Sequence, residues 1–160
     1  MSAITHIVIG LGNPGEEYAR TRHNVGFMAV DEIAARRSSS AWKKKFRGLV
    51  SAADSFFILK PQTFMNLSGE SVAEAQHFYQ LAPEKIIVFH DDIDLQPGQV
   101  KIKQGGGDGG HNGLKSLDAH IGADYWRVRI GVGRPKDELG TSIKGDAVTN
   151  YVLNPFAKTD

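Results

Sequence analysis

The 160-residue sequence contains no cysteine. That absence excludes disulfides, thiolate metal sites, iron–sulfur clusters and a cysteine nucleophile, and it leaves no reason to expect an oxidising compartment, so the cytoplasm is the default. A long apolar run is also missing. Nothing approaches the roughly 18 residues of a membrane span, and residues 1–6 carry no basic segment ahead of an apolar stretch. Charge of one sign is scarce: 19 Lys and Arg against 18 Asp and Glu leave a net +1. Any contact with nucleic acid therefore has to come from local clustering rather than from a positive field. There is no internal repeat and no G-x-S-x-G serine elbow. What is present is 41% hydrophobic residues with 18 Gly and 6 Pro, a turn-rich composition with enough apolar content for a core. Residues 1–160 are expected to form a single domain.

Alternation and helical spacing predict an α/β fold, a sandwich of a mixed, twisted central sheet with helices on both faces. The β-branched segment 6–10 reads as a buried strand leaving through a Gly-rich loop. Asn24 is a plausible N-cap for a helix over 25–37. Strands are expected over 49–53 and 56–59, the second stopped by Pro61. A helix follows Gly69 up to Leu81, with Ser71 and Glu74 as a capping box. Further strands are expected over 86–89 and 100–103, the latter half-exposed, then a helix over about 114–121 and a strand over 126–130. Acidic turn residues, His90 to Asp94, follow the 86–89 strand. Beyond it the tail is polar, with only 148–153 marked as an element.

In open α/β sheets the functional loops leave the carboxyl ends of the strands. Here such loops carry Asn13, His23, Asp91, Asp92, Asp94, Asp108, His111 and Asn112. Gly10, Gly12 and Gly15 match G-x-G-x-x-G. The acid about twenty residues on, Asp31, falls inside a predicted helix and not at a strand end, which argues against a dinucleotide site. His23 hydrogen-bonded to Asp91 would make an oriented base able to deprotonate water, with Asn carboxamides holding the developing oxyanion. The ordinary alternative is a surface His and a turn-capping Asp. His90, Asp91, Asp92, Asp94, Asp108 and His111 invite a divalent-metal reading but lack any known ligand spacing. Lys101 with Lys103, and Arg127 with Arg129, have the period-two spacing of phosphate clamps. The stretch Arg36, Arg37, Lys43, Lys44, Lys45 and Arg47 reads mainly as a solvated face.

These segments together resemble the bacterial peptidyl-tRNA hydrolases. The matching residues are Gly10-Leu-Gly-Asn-Pro-Gly15 with Tyr18, Thr21-Arg-His-Asn24, Pro61-Gln-Thr-Phe-Met-Asn-Leu-Ser-Gly69 and His90-Asp91 with Asp94. To these are added Gly105-Gly-Gly107, Gly109-Gly-His-Asn-Gly-Leu114 and Arg129-Ile-Gly-Val-Gly133, in the family's order from Ile7 to Phe156. The resemblance implies metal-independent hydrolysis, without a cofactor, of the ester joining a peptide to the terminal ribose of tRNA. It places the general base on His23, its carboxylate partner on Asp91, and substrate positioning on Asn13. Tyr18, Phe64, Met65, Asn66, His111 and Asn112 would contact the peptidyl or 3′-end portion, and Lys101, Lys103 and Arg129 the tRNA phosphate. The implied partner is the acceptor stem and 3′ end of tRNA, bound by a monomer and not by a membrane protein. Two departures accompany the resemblance: the family's C-terminal helix is expected to be lacking, and Asp108 stands where His is frequent. A catalytically silent RNA-binding module of the same fold and a metal-dependent phosphoesterase are the alternatives.

Overall fold

The computed structural model describes residues 3–135 and 146–156. The polar stretch between them, part of the tail left open by the sequence, lies outside the described residues.

Seven strands form one mixed sheet: β1 (His6–Gly10), β2 (Lys43–Lys45), β3 (Gly48–Ala53), β4 (Phe56–Pro61), β5 (Ile86–Asp92), β6 (Val100–Gln104) and β7 (Trp126–Gly131). Their order is β2-β3-β4-β1-β5-β7-β6. The central β4, β1, β5 and β7 run parallel, and antiparallel neighbours flank them on both sides. Alternation along β1 divides the core. Ile7 and Ile9 are buried with Leu59, Val88, Val72 and Leu117 under α2 (Ser68–Tyr79) and α3 (Asn112–Ile121). Val8 and Ile58 pack on Val30 and Ala34 of α1 (Val25–Arg36) on the opposite face. The expected α/β sandwich is thus the observed one. Each such aliphatic side chain contributes about 1.5–3 kcal/mol by leaving water, and truncating Ile9 to Ala would cost about 2–5 kcal/mol.

One glycine decides how closely α1 approaches the sheet. A Cβ at Gly26 would run into the Phe89 carbonyl oxygen and, at 2.6 Å, that of Leu11. Only hydrogen at this position lets the N-terminal end of α1 settle onto β1 and β5.

Several local expectations are corrected. Asn24 precedes α1 as expected but caps nothing, because its carboxamide is spent on the backbone of Asn13. Ser71 lies inside α2, where its hydroxyl donates to the Phe46 carbonyl at 2.5 Å, so there is no capping box with Glu74. Strand β4 includes Pro61. Helix α2 ends earlier than expected, at Tyr79, with Gln80 in the left-handed conformation, and α3 starts two residues earlier, at Asn112. Strand β5 runs on through His90, Asp91 and Asp92 because β7 pairs with it there, His90 beside Arg129 and Asp91 beside Ile130. Asp91 and Asp92, expected in a turn, are therefore strand residues, and Asp94 lies in the turn that follows. Strand β6 is exposed along its whole length, being hydrogen-bonded only to β7 at the sheet edge. Within the basic stretch, Lys43–Lys45 forms β2. Its two-residue turn to β3 places Phe46 and Arg47 at φ 54° and 55°, and the Phe46 ring is fixed against Phe57, Phe78 and Tyr79. Without Gly or Asn, that turn is invisible to residue preference. The element marked at 148–153 is α4 (Asp146–Val152).

Candidate active site

The loops after β1, β4, β5 and β6 meet at one end of the sheet around a cleft of about 920 Å³. At its floor lies Asp91, 3% exposed. Its Oδ2 accepts from His23 Nδ1 at 2.8 Å and its Oδ1 from His111 Nε2 at 2.6 Å. The protons can be placed. His111 Nδ1 accepts from the backbone N–H groups of Gly113 and Leu114 at 3.0 and 3.3 Å, so it caps α3 and its proton is on Nε2, directed at Asp91. The carboxylate then takes a second N–H from His23 Nδ1, which leaves a lone pair on His23 Nε2. That nitrogen has no hydrogen-bond partner among the described residues, and His23 lines the cleft.

Burial alone pushes the Asp91 carboxyl up, but the charges and hydrogen bonds of His111 and His23 together hold it well below the usual carboxylate range. It is an anion under all ordinary conditions. His90, 2% exposed, donates from Nδ1 to the Asp91 carbonyl at 2.8 Å. Burial, then the neighbouring His111, lowers its pKa to about 4, so it is a neutral packing residue.

The turn bearing His23 is tethered at a distance. Arg22 N–H donates to the Asn154 carbonyl and Arg22 Nη1 to the Tyr151 carbonyl, both at 3.0 Å, while Thr21 forms a bridge with Pro155. The same α4 segment contributes Val148 and Thr149 to the cleft wall.

Asn13 is 8% exposed and its backbone is gripped by Asn24, which accepts from its N–H and donates to its carbonyl, each at 2.8 Å. Its Oδ1 accepts from Met65 N–H at 2.7 Å. Its Nδ2 makes no hydrogen bond among the described residues and belongs to a side chain on the cleft. Phe64, Met65 and Asn66 form the adjoining wall, and Tyr18 meets the Phe64 ring edge-on at 6.4 Å. Asn112 lies opposite, beside His111. Nine of the expected residues, His23, Asp91, Asn13, Tyr18, Phe64, Met65, Asn66, His111 and Asn112, therefore surround one cavity.

The basic residues divide. Lys103 and Arg129 line the cleft, whereas Lys101, exposed on β6 opposite Arg129, does not. Arg127 is no clamp: it is 2% exposed and its guanidinium donates to the Gly107 and Gly106 carbonyls at 3.0 and 3.1 Å, organising the Gly-rich loop from within. Arg129 Nε donates to Asp92 Oδ2 at 2.8 Å, and Arg134 pairs with Asp94 at 2.7 Å. Asp108 accepts from Gly110 N–H in a tight turn.

The ligand atoms of His23, Asp91 and His111 lie within 4.8 Å of one another, a spacing that would suit a metal ion. Binding at His111 Nε2 would force its proton onto Nδ1, against two amide donors. Arg129 and Arg134 already neutralise Asp92 and Asp94. The donor set fits protons better than a cation.

Sequence reasoning missed Asn24, the capping role of His111, and Arg134. Asn24 looked like an ordinary cap; only its position immediately after His23 hinted otherwise.

Residues 7–160 match the family model described as peptidyl-tRNA hydrolase. A peptidyl-tRNA hydrolase of Rhodospirillum centenum is 52% identical over 96% of this chain, and one of a Chelativorans species 54% identical over the same share. This chain spans 66% and 63% of those relatives' own lengths, about two thirds. The crystal structure of peptidyl-tRNA hydrolase from Acinetobacter baumannii superposes with a TM-score of 0.88 at 38% identity, covering 99% of this chain and 81% of that one. On the strength of the matched model and of these relatives, the chain belongs to the peptidyl-tRNA hydrolase family.

Proposed function

We propose that this protein hydrolyses the ester between the carboxyl end of a peptide and the 3′-terminal ribose of tRNA, releasing tRNA for reuse in translation, and that it works as a cytoplasmic monomer. The observation that carries the reading is the His111–Asp91–His23 hydrogen-bond chain, which leaves an imidazole lone pair over an open cleft. In this mechanism His23 Nε2 takes a proton from water as the oxygen bonds to the ester carbon. Asp91 stabilises the resulting imidazolium. The tetrahedral intermediate collapses by breaking the bond to the ribose oxygen, which receives the proton back from His23. Products are a peptide carboxylate and a free ribose hydroxyl.

In the first turn of α3, the amides of Gly113 and Leu114 are already occupied by His111 Nδ1. The oxyanion is assigned to side-chain carboxamides at the cleft, those of Asn13, Asn66 and Asn112. Such groups read a peptide's backbone and not its side chains, so broad tolerance of peptide sequence follows. Lys103 and Arg129, with Lys101 beyond the rim, are assigned to the tRNA phosphates. The acceptor stem and 3′ end are the parts of the tRNA within this reading.

The test is the decay of N-acetyl-aminoacyl-tRNA at micromolar protein, followed on an acid gel. Release well above background, undiminished in EDTA and much slower for free aminoacyl-tRNA, is the expected result. Tight tRNA binding without release would make the chain a silent RNA-binding module instead.

A further inference from the structure

Phe64 adopts φ 65° and ψ 155°, a conformation nearly confined to glycine, while its ring stands 51% exposed at the cleft. A side-chain-bearing residue persists there only if its neighbours hold it. The next peptide unit is held on both sides: its carbonyl accepts from Leu67 N–H and Thr63 Oγ1, each at 3.1 Å, and its N–H makes the one buried bond, to Asn13 Oδ1 at 2.7 Å. Asn13 can aim that oxygen because its own backbone is fixed on both sides by a single carboxamide, that of Asn24, 1% exposed.

We propose that Asn24 is a positioning residue: through the backbone of Asn13 and the Asn13 carboxamide, it locks the Phe64–Met65 peptide in its strained form. The locked form presents the Phe64 ring, edge-on to Tyr18, to the bound substrate. The kinetic part of this inference rests on the proposed ester hydrolysis; the structural part does not. Asn24 touches no reacting atom. Its two bonds to Asn13 imitate a β-bridge, and a side chain imitating a bridge is rigid only while both its oxygen and its NH2 are engaged. Released, Phe64 would fall back to negative φ and withdraw its ring and the Met65 amide together.

The experiment compares amide hydrogen exchange at Met65 and at Ile9 of β1 in native protein and in Asn24→Ala. Met65 is expected to exchange about 100-fold faster while Ile9 stays within about threefold. On N-acetyl-aminoacyl-tRNA, KM should rise about tenfold through the lost Phe64 contact, and kcat should fall as well because Asn13, assigned to the oxyanion, is loosened. Adding Phe64→Gly, which tolerates the positive φ, should return Met65 exchange to within about tenfold of native but leave KM high, the ring being gone. Asn24→Asp, which keeps the oxygen and deletes the donor, serves if the alanine variant does not fold. Unchanged Met65 exchange, parallel loosening of Ile9, or an unaltered KM despite a freed Met65 would each overturn the proposal. Should the native protein cleave no ester, the proposed function fails on that result alone, and the exchange data still decide whether Asn24 is the lock.

Discussion

At the floor of the cleft, both carboxylate oxygens and the carbonyl of Asp91 each accept a hydrogen bond from an imidazole. On the rim, Lys101 and Lys103 stand on an exposed edge strand with no ion-pair partner among the described residues. The floor is fixed by directional bonds between buried groups, where one misplaced atom strands a charge. The rim is held by strand register alone, and its charges act through water. Chemistry is assigned to the first region and electrostatic attraction to the second, so the two should respond differently to substitution, acid and salt.

The contrast is broken most severely by His23→Ala, which should lower hydrolysis of N-acetyl-aminoacyl-tRNA by about 10²–10⁴-fold. Affinity for deacylated tRNA, measured by filter binding, should hardly change. Equal loss of both would move His23 out of the base role.

Acid should act on the floor alone. Unfolded His90 takes up a proton near pH 6.5, whereas the folded chain resists until about pH 4. Between those values the unfolded state binds more protons, so stability falls as the pH falls, by about 3 kcal/mol in all. Urea midpoints at pH 7 and 4.5 would show this, and His90→Phe should flatten the difference. A slope unaffected by that change would assign the acid sensitivity elsewhere.

A smaller effect separates two duties of one ring. His111→Ala removes a helix cap and a carboxylate partner and should cost about 1–2 kcal/mol of stability. In His111→Asn, a good cap too short to reach Asp91, thermal stability should recover while hydrolysis stays impaired. Recovery of both would reduce His111 to a cap.

The smallest change belongs to the rim. Lys103→Ala should weaken tRNA binding at low salt and reduce the slope of log affinity against log salt by about one. Arg129→Ala should do less, because its guanidinium is already committed to Asp92. A loss in kcat from Lys103→Ala would erase the distinction between floor and rim.

Much of this was legible in the sequence. The buried apolar runs of β1 and β5 and the alternation of β7 marked the strands, and the ordered loop motifs pointed to His23, Asp91 and the asparagines. Residue chemistry did not reveal how long-range partners redirect a side chain. Asn24 has the local look of a cap, and its true partner lies 11 residues back. Arg127 and Arg129 share a strand face and a charge, yet one is buried with its guanidinium spent on the Gly106 and Gly107 carbonyls while the other is partly exposed and paired with Asp92. Acidic residues after a buried strand read as a turn until β7 is seen to extend the ladder to Asp92. Each miss concerns what packs alongside, which a linear pattern does not encode.

The anchoring of Arg22 by Tyr151 and Asn154 joins residues 129 and 132 positions apart. During synthesis the N-terminal strands can pair before residue 154 leaves the ribosome, whereas the contacts of Arg22 with Tyr151 and Asn154 close only afterwards. A polypeptide lacking Tyr151 and Asn154 would thus hold the proposed base on a turn without these two contacts.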